Sequence, residues 1–258
     1  MAKLLQFRGL VGHPVHGFGY KPDPVGHRYN MFFLHPAASV DPATLPARTR
    51  NFQYAPPIWN QGQTGSCFGH GMAGEITTTF AAHGRALSSP ACPDFVYKIT
   101  RMVDRPDPKV PLQDTGSAPN SGVRALGLWG CALESEVDQG RTASSPDYTS
   151  NLEAVVNRDP KLGDLEKAGK RIITGFNAIA DNDSQKILHD QQALATGHAI
   201  GTGVDAGNDT FQGATGETPL GYCGSEPDHW IYIVDYATVG ALRADGELPA
   251  SMSGLPDT

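Results

Sequence analysis

The chain has 258 residues, of which 39% are apolar and 18% charged, with a net charge of −7. That composition belongs to a folded globular chain, large enough for one sizeable domain or for two lobes around a cleft. It argues against nucleic acid as the main partner, because there is an acidic excess and no basic run. No apolar run approaches the roughly 18 residues that a membrane span requires. The 30 Gly and 20 Pro predict a loop-rich chain. The first residues carry no long apolar core of the signal-peptide kind. The four cysteines, Cys67, Cys92, Cys131 and Cys223, show no CxxC spacing. They are expected to be reduced thiols in a chain that is cytoplasmic or virion-associated. Asn208-Asp209-Thr210 fits a glycosylation sequon, which carries no weight without a secretion signal.

Residues 1–56 are rich in Gly, Pro and His with little helical period, and are expected to form an extended arm wrapped around the body. His13, His16, His27 and His35 match no zinc spacing and are expected to be solvated loop residues.

The most informative stretch follows, Pro57-Ile58-Trp59-Asn60-Gln61-Gly62-Gln63-Thr64-Gly65-Ser66-Cys67-Phe68. It places a cysteine at the start of a predicted helix behind two glycines that permit a tight turn. A thiol at a helix N-terminus with a histidine partner is a usable nucleophile. Gln61, six residues upstream, can offer an amide N–H to an oxyanion formed on a carbonyl attacked by Cys67. Small and apolar residues from Ser66 to about Ala82 predict a buried helix. A second helix is predicted from Cys92-Pro93-Asp94, since Pro and Asp suit a first turn. A third is predicted from about Ser121 to Trp129. Residues 137–165 are polar and give no clear element. Ser184–Ala195 is predicted as a helix ending at Gly197, followed by a strand over His198–Val204.

The complementary signal is Asp228-His229-Trp230-Ile231-Tyr232-Ile233-Val234-Asp235-Tyr236. Its β-branched and aromatic run predicts a strand with His229 at its mouth. His229 is the base partner expected for Cys67. Asp235 lies six residues along the same strand, roughly 20 Å away at about 3.3 Å per residue, too far to orient the ring. Asp245, in Arg243-Ala244-Asp245-Gly246, stands 16 residues after His229. It is open to two roles, a carboxylate orienting His229 or the turn Asp that commonly precedes Gly.

Asn60-Gln61-Gly62 with Gly65-Ser66-Cys67 resembles the nucleophile segment of papain-like cysteine peptidases, and is closer to bacterial and phage-type members than to the plant enzymes. The resemblance extends to Ser89-Pro90 with Asp94-Phe95-Val96-Tyr97, to Gly130-Cys131-Ala132-Leu133-Glu134, and to the His229 strand. Gly19-Tyr20-Lys21-Pro22-Asp23-Pro24 and Gly26-His27-Arg28 are similar to the leader of the bacterial group. In that family the counterpart of Gln61 completes the oxyanion hole, and the interval between Cys and His is close to the 162 residues found here.

The resemblance implies an α+β, two-lobed papain-like fold over residues 57–258. A helical lobe would span about 57–165, with Cys67 on its central helix, and an antiparallel β lobe about 170–258, carrying His229. It implies a cysteine peptidase acting on peptide or protein substrates, with no cofactor and no metal. Gly116 and Ser117, in Gln113-Asp114-Thr115-Gly116-Ser117, would lie along the substrate cleft. Cys131 and His198 would be structural.

Four departures stand out. Thr64 replaces the cysteine that the family commonly has three before the nucleophile, and Phe68 replaces the Trp after it. The Asn-Ser-Trp-Gly motif that normally orients the histidine is not present. Few residues follow Tyr236, where the family spends further strands on closing its β lobe, so an open edge is expected. It would be covered by the N-terminal arm, another chain or an unusual local path. These departures keep a second expectation open, that of a catalytically silent papain-fold protein packed against other chains in an assembly such as a phage particle.

Overall fold

A computed structural model describes residues 39–62, 64–137, 157–173, 176, 185–204, 229–248 and 250–257. The central element is helix α1, Cys67–Ala82. Most of its residues, from Cys67 to Thr78, are buried, and a helix enclosed on all sides has to be small and apolar all round. Its sequence meets that demand with three glycines, three alanines and a single charged residue, Glu75.

Two further helices complete the described helical layer. Helix α2, Pro93–Asp104, begins with Pro93, and the Sγ of Cys92 accepts the Phe95 N–H at 3.1 Å. Asp94 in its first turn and Arg101 in its last suit the helix dipole. Helix α3, Pro119–Trp129, starts two residues before the expected Ser121, because Pro119 occupies the first turn. It stops at Gly130, whose φ of 77° only glycine adopts readily. Phe68, Met72, Phe95, Val96, Ile99 and Leu126 belong to the core that these helices share.

Helix α4, Leu162–Ala168, forms within and just past the polar stretch that gave no element from sequence. Helix α5, Lys186–Ala195, runs into a turn at Gly197 and then strand β1, Ile200–Val204. β1 therefore begins two residues later than expected. Strand β2, His229–Ile233, pairs with it antiparallel, Ile200 opposite Ile233 and Val204 opposite His229. Leu194 of α5 packs with Ile233 and Tyr236 in a second, smaller core cluster. Helices joined to a small antiparallel sheet give an α+β fold. Among the described residues after Tyr236 no further strand forms: Val239–Ala244 is helix α6, capped by the Thr238 hydroxyl, which accepts the Ala241 N–H at 3.2 Å.

Residues 46–52 lie along the chain that follows β2. The Thr49 N–H donates to the Tyr236 carbonyl at 3.0 Å, and the Thr238 N–H donates to the Ala47 carbonyl at 2.8 Å. The Tyr236 hydroxyl donates to the Pro46 carbonyl at 2.7 Å. Asp235 accepts the backbone N–H groups of Asn51 (2.6 Å) and Phe52 (2.9 Å), fixing the 3-10 turn Asn51–Tyr54.

The two layers meet where β2 crosses α1. A Cβ on Gly71 would overlap the Trp230 ring, and one on Gly74 would come within 2.5 Å of the Tyr232 ring. Substituting Gly74 with Ala is expected to cost about 1–3 kcal/mol, the usual penalty of overpacking. Gly163→Ala in α4, where an added Cβ meets nothing within 4 Å, is expected to be neutral or stabilising. Urea midpoints at unchanged slope check both.

Candidate active site

The nucleophile loop is tied together by its own polar groups. The Asn60 side chain accepts the Gly62 N–H at 2.8 Å, and Gly62 turns at a φ of 61°. Gln61 Nε2 donates to the Thr64 carbonyl at 3.1 Å, while the Thr64 hydroxyl donates to the Gln61 carbonyl at 2.8 Å. The same hydroxyl lies 2.5 Å from Ser66 Oγ. Thr64 thus holds by hydrogen bonds a loop that the family commonly staples with a disulfide. One turn into α1, His70 Nδ1 lies 3.0 Å from the Ser66 carbonyl and 3.1 Å from its hydroxyl. A carbonyl can only accept, so the proton is assigned to Nδ1.

A second brace fixes the loop to residues 113–117. The Gly65 N–H donates to both carboxylate oxygens of Asp114, at 2.9 and 3.1 Å. The Tyr97 hydroxyl donates to Asp114 Oδ1 at 2.5 Å and accepts the Gly116 N–H at 3.0 Å. The Arg101 guanidinium stacks 3.7 Å from the centre of the Tyr97 ring and donates to the Gln113 carbonyl at 2.6 Å. A Cβ on Gly65 would lie 3.2 Å from the Gly116 nitrogen, so the expected cleft residue Gly116 adjoins the nucleophile loop. Ser117 is fully buried (0% exposed), which leaves its side chain no open face toward a cleft. Asp114 and Tyr97 were not singled out from sequence as site residues. Their pairing across 17 positions has no local signature.

Cys67 is the first residue of α1, where backbone N–H groups lack intrahelical partners and the dipole favours negative charge. Cys67, Gly71 and Gly74 stand at i, i+4 and i+7, hence on one face of the helix. That is the face β2 follows, with Tyr232 over Gly74 and Trp230 over Gly71. His229, the first residue of β2, directly precedes Trp230, whose ring lies over Gly71. Phe68 closes the junction, its ring centre 5.3 Å from that of Trp230. Cys67 (1% exposed) and His229 (8% exposed) are both buried. Burial pushes the His229 imidazole down to about 4, so at neutral pH it rests uncharged.

The remaining predicted residues fall elsewhere. Asp245 follows α6, and its carboxylate pairs with Arg48 at 2.5 Å and with Arg50 at 3.6 Å. Cys92 and Cys131 are buried free thiols whose pKa burial raises, that of Cys131 to about 12, which makes both poor nucleophiles. Asp228, Cys223 and the histidines at 13, 16, 27 and 35 lie outside the described residues. Among the described residues, no group of three or more His, Cys, Asp or Glu is placed to hold a metal ion.

No family model matches the chain. It is 24% identical over 230 residues to Cysteine protease 1 of Oryza sativa subsp. japonica, covering 88% of this chain and 41% of that relative. It therefore spans about two fifths of the length of the curated relative it matches. Among solved structures it is similar to xylellain, a cysteine protease from Xylella fastidiosa, with a TM-score of 0.58 and 20% identity over 92% of this chain and 82% of the other. It is similar to the digestive procathepsin L2 proteinase of Tenebrio molitor larval midgut, at a TM-score of 0.58 and 18% identity over 92% and 70% of the two chains. The Carica candamarcensis cysteine protease CMS1MS2, solved in complex with E-64, gives a TM-score of 0.52 and 19% identity over 75% and 78%. The chain has the fold of the papain-like cysteine peptidases.

Proposed function

We propose that the protein is a cysteine peptidase that cleaves peptide bonds through Cys67 and His229. The observation that supports this reading is the approach of β2 to α1: Cys67 begins α1, and Trp230, the neighbour of His229, rests over Gly71 one turn further along the helix. His229, neutral by burial, takes the Cys67 thiol proton, and the thiolate adds to the substrate carbonyl carbon. The oxyanion is held by the Cys67 backbone N–H and the Gln61 amide N–H. The tetrahedral intermediate collapses as the His229 imidazolium gives its proton to the leaving amine. Water, deprotonated by His229, then attacks the thioester, and the carboxylate product leaves as Cys67 regains a proton.

Gly116 would enter substrate binding through its backbone carbonyl alone, since its N–H is given to the Tyr97 hydroxyl. Of the two roles open to Asp245, its place at the end of α6 before Gly246, which turns at a φ of 71°, and its ion pairs with Arg48 and Arg50 favour the turn residue. The absent Asn-Ser-Trp-Gly motif favours the alternative, a silent papain-fold scaffold, and the same experiment decides between them.

The test is cleavage of a chromogenic peptide together with iodoacetamide labelling, a reagent small enough for a buried thiol. Cys67→Ala should abolish both turnover and fast labelling. Gln61→Ala should lower kcat by about 10²–10³-fold, and His229→Ala by about 10²–10⁴-fold. In the wild type, labelling of Cys67 should fall only as pH drops through about 4, where His229 gains its proton. In His229→Ala it should rise through about 8.5 like an ordinary thiol. Asp245→Ala should leave kcat within twofold and cost no more than about 1 kcal/mol, as expected of a half-exposed ion pair. A Cys67 that labels no faster than an ordinary thiol, with no change in His229→Ala, would leave the scaffold reading.

A further inference from the structure

Glu75 is the single charged residue of α1, and its Oε1 accepts the indole N–H of Trp230 at 3.2 Å. The two meet in space that a side chain at position 201 would fill. A Cβ on Gly201 of β1 would overlap both the Glu75 carboxyl and the Trp230 ring. Trp230 is therefore held on three sides: over Gly71 of α1, against Phe68 beside the nucleophile, and by the Glu75 hydrogen bond. It is also the residue bonded to His229.

A ring resting on glycine and phenylalanine can slide, because dispersion contacts fix distance better than direction. A hydrogen bond from the indole N–H adds direction. Burial raises the Glu75 carboxyl to about 8, so at neutral pH it is a neutral acid inside the junction. The facing titratable group is the Tyr232 hydroxyl, raised to about 12 by burial and by Glu75.

Resting on the assignment of Cys67 and His229 above, we propose that Glu75 is a positioning residue for that pair: by accepting the Trp230 indole N–H, it fixes the His229 end of β2 against the Cys67 end of α1. The requirement is geometric, since a misplacement of about 1 Å can cost up to ~10²-fold in rate.

The experiment compares Glu75→Ala, Glu75→Gln, Trp230→Phe and the Glu75→Ala/Trp230→Phe double variant with Cys67→Ala as reference. Glu75→Ala and Trp230→Phe should each lower kcat and the Cys67 labelling rate by about tenfold with KM unchanged, within the span that small misplacements produce. The double variant should lose no more than either single one, because both remove the same bond. Glu75→Gln keeps an oxygen acceptor and should rescue the rate.

The pH dependence of stability gives a second readout. A carboxyl raised to about 8 in the fold contributes stability that is lost as pH rises through that value. His229, lowered to about 4, loses its contribution as pH falls below its ordinary range near 6.5 and is flat above it. Wild-type Tm should therefore decline between pH 6.5 and 8, and Glu75→Gln should flatten that decline. Wild-type rates in Glu75→Ala or Trp230→Phe, or no rescue by Glu75→Gln, would overturn the proposal while Cys67→Ala stays inactive. An active Cys67→Ala would instead overturn the catalytic assignment. If Glu75→Ala does not fold, Trp230→Phe and Glu75→Gln decide alone.

Discussion

At Gly71 and Gly74 the backbone of α1 carries no side chain, and the rings of Trp230 and Tyr232 occupy the space left over. Two interior glycines cost a helix about 2 kcal/mol in propensity relative to alanine. Part-burying two aromatic side chains returns about 5 kcal/mol, since half of each is about 100 Å² at ~25 cal/mol per Å². The packing more than offsets the helix propensity lost. What it secures is proximity, because no residue with a Cβ would let β2 lie this near the helix axis. With the strand there, Trp230, the neighbour of His229, rests over Gly71, one helical turn from Cys67.

The electrostatics of that end follow from burial. His229 is held uncharged, while the N-terminus of α1 offers its positive end to Cys67. In the proposed reading, negative charge on the Cys67 sulfur would lie at the favourable end of that dipole. Behind them Glu75 is kept protonated by the same burial, so the junction carries no net charge at neutral pH. Around the nucleophile, hydrogen bonds do what a covalent staple does in relatives: Thr64 and Ser66 close the loop, and Asp114 anchors Gly65 through Tyr97 to residue 116. On the far side, Asp235 and Asp245 hold residues 48–52 against the chain after β2.

The parts legible in the sequence are those with a local cause. Cys67 behind its glycines and His229 at the head of a β-branched run are each read within a dozen residues. The four helices and two strands expected from sequence have a period or a turn signal. Helix α4 escaped because it is short and polar, and α6 because six residues are too few for a period to emerge. The start of α3 was placed at Ser121 although Pro119 is the better first-turn residue. Asp245 illustrates the limit differently. Its interval from His229 suited an orienting group, but interval says nothing about Arg48, which arrives from 197 residues away. Glu75 was equally hidden, since only the approach of Trp230 across 155 positions explains a carboxyl in an apolar helix.

The claim on which the account stands is that Cys67 and His229 face each other, and a short bifunctional alkylator tests it directly. 1,3-Dibromoacetone can bridge a thiol and an imidazole only across a three-carbon span. After reaction at neutral pH and proteolysis, mass spectrometry should find the Cys67 and His229 peptides joined by that bridge. The bridge should be missing in Cys67→Ala and in His229→Ala. A wild-type protein alkylated at Cys67 with the reagent's second arm hydrolysed, or attached to any residue other than His229, would contradict it.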